Sequence, residues 1–183
     1  MRKGDNISTS QYHHAEVFVK RRLILMRHAQ AANARVVTTD RVRPLTSHGR
    51  DQASRIAKQL EEQQWLPDQV FVSTARRTQE TWACMHDRLE QTPGMASIAR
   101  QIAPGFYGGR GQDVLLFLGS SAQTKTVLAL GHNPSWSQLV ETLTGRPLFL
   151  EPANAILLEH RMTSWTDALH LEGSWFVQAV LKP

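Results

Sequence analysis

Apolar positions along the chain fall into two patterns. Continuous runs at Leu23-Ile24-Leu25-Met26, within Gln69–Ser73 and within Thr126–Leu130 predict strands covered on both faces. Between them the apolar residues adopt helical spacing. Ala53, Ile56, Ala57 and Leu60 predict a helix capped by Thr46 and running to about Gln64. Further helices are predicted from Arg76 to Leu89, from Gln112 to Leu118, and from Pro134 through Leu143, the last with Gly145 as its C-cap. The Pro- and Gly-rich stretch 91–111 reads as a long loop with a short strand within 97–102. Two final strands are predicted at Ala155–Glu159 and Trp175–Leu181. Residues 1–19 lack either pattern and read as an N-terminal extension, with residues 20–183 as a single domain without repeat or linker. Alternating strands and helices predict an α/β fold: a three-layer α/β/α sandwich with a mixed, mostly parallel central sheet whose final strands are partly antiparallel.

Composition narrows the function. The 183 residues are 41% hydrophobic and 20% charged, as in ordinary globular chains. The longest apolar run is only a few residues, far short of the roughly 20 that cross a bilayer, and the first twenty residues are polar. These features predict a cytoplasmic protein without a membrane partner. Cys84 is the single cysteine, which excludes an internal disulfide and a cysteine-based zinc cage; beside Trp82 and Met85 it reads as a small, half-buried apolar residue. The net charge of +5 points to an anionic partner. The basic residues form no long run, and no zinc finger or RNP-like motif accompanies them, so phosphate chemistry explains them better than nucleic acid.

In open α/β sheets ligands bind beyond the carboxyl ends of the strands. Three predicted strands end in chemically capable residues: Arg27-His28, Ser73-Thr74-Ala75-Arg76-Arg77-Thr78, and Gly131-His132-Asn133-Pro134. Arg76 and Arg77 at a helix N-terminus oppose the macrodipole. That placement makes sense where an anion is held by both the dipole and a guanidinium fork. The remaining histidines (13, 14, 48, 86, 160 and 170) show no ligand spacing and read as structural or solvated, and the five tryptophans as core or rim.

Arg27-His28-Ala29 resembles the Arg-His-Gly motif of the histidine phosphatase superfamily, which includes phosphoglycerate mutases and acid phosphatases. Ser73…Arg77-Thr78…Thr81 is similar to its second-arginine motif, and Gly131-His132-Asn133-Pro134 to its second-histidine motif. The segment Asp40-Arg41-Val42-Arg43-Pro44-Leu45-Thr46…Gly49 and the compact length most resemble the SixA-like phosphohistidine phosphatases. The resemblance covers roughly residues 22–183. It implies a phosphoglycerate mutase-like fold and names His28 as the nucleophile. A neutral imidazole, with pKa about 6.5, is available for that role. It further implies that Arg27 and Arg77 bind the phosphoryl oxygens, with Arg43 as a further anion ligand. His132 would donate to the charge developing in the transition state, and Asn133 would orient a neighbour. No metal or other cofactor is implied, because these side chains supply the positive charge.

Two departures bear on the substrate. Ala29 stands where the family has glycine, a modest cost if a positive φ is needed there. The loop Ala103–Gly109 holds no carboxylate where many relatives carry an acidic proton donor, and the next is Asp113. An alkoxide leaving group needs that proton; a protonated imidazole leaves without it. The expected function is therefore hydrolysis of phosphohistidine in a protein, through a phosphohistidine intermediate, with Asp40 or Glu80 as residual candidates for the acid. The short 103–111 loop predicts an open, shallow site that a protein histidine could enter. A small phosphomonoester substrate, a catalytically silent phosphate-binding module and, third, a nucleic-acid-binding role are the alternatives. Oligomeric state is not encoded in these motifs.

Overall fold

A computed structural model describes residues 17–33, 39–98 and 100–183, without the side chains of residues 169 and 170. The histidines at 13 and 14 and most of the expected extension lie outside the described residues.

Strand β1 (Val19–Arg27) occupies the middle of a six-stranded sheet. It is followed by α1 (Ser47–Glu62), β2 (Gln69–Val72), α2 (Arg76–Leu89), β3 (Arg100–Ile102), α3 (Gly111–Ser121), β4 (Thr126–Gly131), α4 (Ser135–Thr144), β5 (Ala155–Met162) and β6 (Phe176–Leu181). The strand order is β3-β2-β4-β1-β5-β6. Strands β3, β2, β4 and β1 run parallel, whereas β5 and β6 add antiparallel pairs at one edge. This is the mixed, mostly parallel sheet expected from the pattern.

The period-two alternation of strand side chains sorts the apolar run of β1 between two cores. Leu23 and Leu25 face a cluster with Leu115 and Leu118 of α3 and Trp136, Leu139 and Leu143 of α4. Ile24 and Met26 face the other, with Ile56 and Leu60 of α1 and Trp82 and Met85 of α2. Helices therefore cover both faces, giving three layers. The five tryptophans are all buried, and Cys84 packs half-buried against the second core.

The caps agree with the sequence. Thr46 Oγ1 accepts from the Gly49 amide at 2.9 Å, and Gly145 ends α4 with φ +67°. Two boundaries differ. Strand β1 begins four residues before the apolar run, because Val19–Arg22 pair antiparallel with Glu159–Met162 of β5. Lys20 and Arg22 there reach Glu159 rather than a core. Helix α4 starts at Ser135, with Pro134 in the capping position. Among the described residues no helix is long and apolar enough to cross a membrane.

Two glycines fix how the elements meet beside the strand ends. A Cβ on Gly49 would lie 2.1 Å from the backbone oxygen of Gln30, so the start of α1 presses on the loop that follows β1. At Gly131 a Cβ would come within 2.2 Å of the indole of Trp136, which is fully buried. Gly131→Ala is expected to destabilise the protein by about 3 kcal/mol, at the upper end for an overpacked core. Urea denaturation measures it, and an unchanged midpoint would mean that Trp136 can move aside.

Candidate active site

Parallel pairing of β1 with β4 sets Arg27 opposite Gly131, and the His28 amide continues the ladder to the Gly131 carbonyl at 3.0 Å. The next residue on each chain is therefore a histidine, and the two rings lie with centroids 5.1 Å apart. Strand β2, on the other side of β4, delivers Ser73 to the same end of the sheet. Helix α2 starts three residues later and turns Arg77 inward.

His28 is 8% exposed. Its Nδ1 lies 2.7 Å from the Ala29 carbonyl oxygen, which can only accept, so Nδ1 carries the proton and Nε2 presents a lone pair. Arg77 Nε donates to that Nε2 at 3.1 Å. The rest of the Arg77 guanidinium is held by Asp40, through the backbone oxygen at 2.7 Å and Oδ2 at 2.9 Å. Asp40 Oδ1 in turn accepts from Arg43 at 2.8 Å. Arg43 Nε donates to Ala32 O at 2.8 Å, which anchors that arginine beside the site. Arg27 donates to the Leu150 carbonyl at 3.0 Å, and its Nε is buried without a partner.

His132 Nε2 meets Ser73 Oγ at 2.8 Å, and its Nδ1 is buried and unpartnered. Asn133 is fully engaged: its amide nitrogen donates to Leu150 O at 2.7 Å, and its oxygen accepts from both the amide and the hydroxyl of Ser137. Through the shared Leu150 carbonyl it is coupled to Arg27. The fold thus gathers His28, Arg27, Arg43, Arg77 and His132, with Asn133 at the margin.

Three contributors have no signal in composition or periodicity. Thr81 Oγ1 accepts from the Ala29 amide at 3.1 Å and donates to the Arg77 carbonyl at 2.7 Å, tying the turn after His28 to α2. Ser73 orients His132. Tyr107, from the loop after β3, donates to Asp40 Oδ2 at 3.1 Å and stands edge-on to His132 with centroids 5.6 Å apart. An aromatic in a Gly-flanked loop following a strand was the available cue. Ala29 itself is buried and is not among the residues with positive φ, so alanine carries no backbone strain there.

Burial and charge crowding together set the protonation states. Burial, reinforced by Arg77, Arg27 and Arg43 and opposed by the bond to Ala29, lowers the His28 pKa to about 4. Burial, then the neighbouring His28 and Arg77, lowers that of His132 to about 3. For Asp40 desolvation acts upward, but Arg43, Arg77 and Tyr107 outweigh it and lower its carboxyl to about 2. Asp40 is thus ionised at neutral pH and cannot serve as a proton donor in this state. Glu80 is engaged too, accepting from Leu45 N at 2.7 Å and Arg76 Nε at 2.6 Å, and Asp113 caps α3 through the Arg110 amide. Burial first, then Arg77, lowers the Arg27 pKa, while Glu151 opposes them.

A family model for the histidine phosphatase superfamily (branch 1) matches residues 23–109, which hold His28, Arg43 and Arg77. A chloroplastic protein of Arabidopsis thaliana is 30% identical over 175 residues, covering 90% of this chain and 79% of its own. The chain belongs to the histidine phosphatase superfamily. Among solved structures, one assigned as the phosphohistidine phosphatase SixA of Nakamurella multipartitia is 27% identical with a TM-score of 0.72, covering 90% of this chain and 97% of that one. A protein histidine phosphatase SixA complexed with tungstate superposes with a TM-score of 0.70 at 23% identity, over 88% of this chain and 97% of that one. This histidine phosphatase therefore has the phosphoglycerate mutase-like fold, and is similar to SixA proteins within the superfamily. His132 lies beyond the segment matched by the family model. The plant relative is chloroplastic by name, so the cytoplasmic expectation does not carry across the family.

Between about pH 6.5 and 4 the unfolded chain binds more protons at His28 than the folded protein does. That contribution to stability is complete above pH 6.5 and is lost as pH falls through about 4. NMR titration of the His28 ring is expected to give a midpoint near 4. A midpoint at the ordinary value of about 6.5 would mean that water and counter-ions already relieve the crowding.

Proposed function

We propose that this phosphatase hydrolyses phosphohistidine in a protein substrate by way of a phosphorylated His28. The observation that carries the reading is the buried, neutral His28 with its Nε2 lone pair turned toward Arg77. In the first step Nε2 attacks phosphorus, the N–P bond of the substrate breaks, and the substrate imidazole leaves as a neutral ring with the proton it carries. Water then attacks the phosphorus on His28 and inorganic phosphate departs. Arg27, Arg43 and Arg77 bind the phosphoryl oxygens, replacing the bonds that Arg43 and Arg77 now make to Asp40. His132, with its unpartnered Nδ1 and its Nε2 held by Ser73, stabilises charge building on an equatorial oxygen. Asn133 positions Arg27 through Leu150.

The substrate class rests on the missing acid. Asp40 is ionised, while Glu80 and Asp113 are committed to structural hydrogen bonds, which suits a leaving group that departs without a donated proton. The likeness to SixA structures supports the same class. A second reading has one observation in its favour: Glu151 acts on the charge of Arg27 and so lies beside the site. If Glu151 protonates an ester oxygen, the substrate is a small phosphomonoester.

The test compares phosphate release from a phosphohistidine peptide and from p-nitrophenyl phosphate by wild type, His28→Ala and Glu151→Gln. The peptide is expected to turn over faster. His28→Ala should lose about three orders of magnitude or more on both substrates, as expected for an essential nucleophile. Faster ester turnover that falls selectively in Glu151→Gln would move the substrate to phosphomonoesters, and no turnover of either would leave a phosphate-binding module. In Asp40→Asn, inorganic phosphate is expected to inhibit more tightly, because the carboxylate no longer competes for Arg43 and Arg77. Weaker inhibition would make Asp40 an organiser of those arginines instead.

A further inference from the structure

A cleft of about 420 Å³ opens beside the site, lined by Arg41, Arg76 and Arg100 together with Val42, Thr74 and Glu80. It adjoins the reacting groups through two of its members. Thr74 directly follows Ser73, and Arg41 donates to Thr74 Oγ1 at 2.5 Å while its guanidinium lies 5.2 Å from the centre of the Tyr107 ring. The three arginines come from three separate elements: the turn Asp40–Val42, the first residue of α2, and β3.

Their charge is poorly matched among the described residues. There Glu80 is the single carboxylate of the lining, and it is already shared between Arg76 and the Leu45 amide. Among the described residues, Arg41 and Arg100 have no carboxylate within ion-pair distance, and the Arg100 side chain makes no hydrogen bond. Three guanidiniums beside one another repel unless an anion joins them. The phosphoryl group cannot be that anion, because it is bound by Arg27, Arg43 and Arg77 in the proposed mechanism.

Strand β3 supplies the second feature. Among the described residues it ends the sheet and pairs only with β2, and all three of its residues are exposed. Its outer edge therefore offers unpaired backbone groups to an extended chain. Arg100 belongs to both this edge and the cleft. A second recess, of about 360 Å³, is lined by Arg100 together with Ile98 and Ile102 and by Trp82 and His86 of α2.

We infer that this cleft binds an extended acidic segment of the protein substrate, and so presents the substrate's phosphohistidine to His28. The inference rests on the reading of a phosphohistidine protein as substrate. Carboxylates pair with Arg41, Arg76 and Arg100, and the segment's backbone runs along β3. Specificity then lies in the acidic residues around the phosphohistidine rather than in a deep pocket for its ring.

The experiment uses two phosphohistidine peptides, one with Asp and Glu flanking the histidine and one with Ser and Ala, and phosphoimidazole as a substrate too small to reach the cleft. The probe variant is R76Q/R100Q, with R100Q alone as a control that removes no internal contact. Wild type should prefer the acidic peptide by about tenfold in kcat/KM, through KM, the size expected for two or three solvent-screened charge pairs. That preference should shrink in high salt, and R76Q/R100Q should abolish most of it while leaving phosphoimidazole turnover unchanged. Equal use of both peptides by wild type would overturn the inference, as would an equal loss on phosphoimidazole. If no phosphohistidine compound is hydrolysed, the substrate reading fails on its own. Binding of the unphosphorylated acidic peptide, followed by fluorescence anisotropy, then decides about the cleft. Binding lost in R76Q/R100Q upholds it, whereas no binding, or arginine-dependent binding of pyrophosphate or an oligonucleotide in its place, overturns it.

Discussion

The site depends on one constraint: several cations have to share a corner of the protein where water is scarce. Arg77 is only 6% exposed, yet it carries a full charge beside Arg27, Arg43 and two imidazoles. A buried charge without a partner is costly. The folded chain answers in two ways. It keeps both histidines neutral, and it supplies a carboxylate, Asp40, gripped by Arg77, Arg43 and the Tyr107 hydroxyl. Everything else at the site serves to hold these groups in register, from Thr81 bridging the turn after His28 to Ser73 fixing His132.

That answer is also what suits the site to phosphoryl chemistry. Burial first, and then the neighbouring arginines, lower the His28 pKa and leave its Nε2 unprotonated well below neutrality. Asp40 offers the arginines two oxygens, as a phosphoryl group would, and it sits on a turn rather than in the sheet. Exchange of one anion for another keeps the charge balance while changing the partner. The carboxylate, which with Glu80 was a residual candidate for the acid, therefore belongs to the electrostatics of the site. Arg43 and Arg77, the second distant in sequence, hold it ionised.

The fold was legible where burial is two-sided. Leu23–Met26, Val70–Val72 and Val127–Leu130 are apolar because both faces of each strand are covered, and the candidate residues stand beyond their ends. Legibility failed where a strand is covered by ion pairs. Lys20, Arg21 and Arg22 look like a polar approach to β1, and only their pairing with β5 makes them part of it. His28 and His132 stood out as candidates because each directly follows a strand, whereas Arg43 and Arg77 stood out through the family resemblance. Tyr107, Thr81 and Ser73 could not be given roles, since their hydrogen bonds reach across the chain to residues that no local pattern connects.

The same distinction separates the two groups of arginines at this end of the sheet. Arg27 is held by the Leu150 carbonyl, and Arg77, almost fully buried, by His28 and Asp40. Arg41, Arg76 and Arg100 are exposed on elements that differ in their attachment to the core. Closely packed cations favour a small anion of defined shape, because they have little room to shift. Exposed cations with flexible stems tolerate variety in position and contribute through net charge. A phosphatase that must recognise one chemical group within many protein surroundings needs both: a rigid inner set for the phosphoryl group and a compliant outer set for what surrounds it.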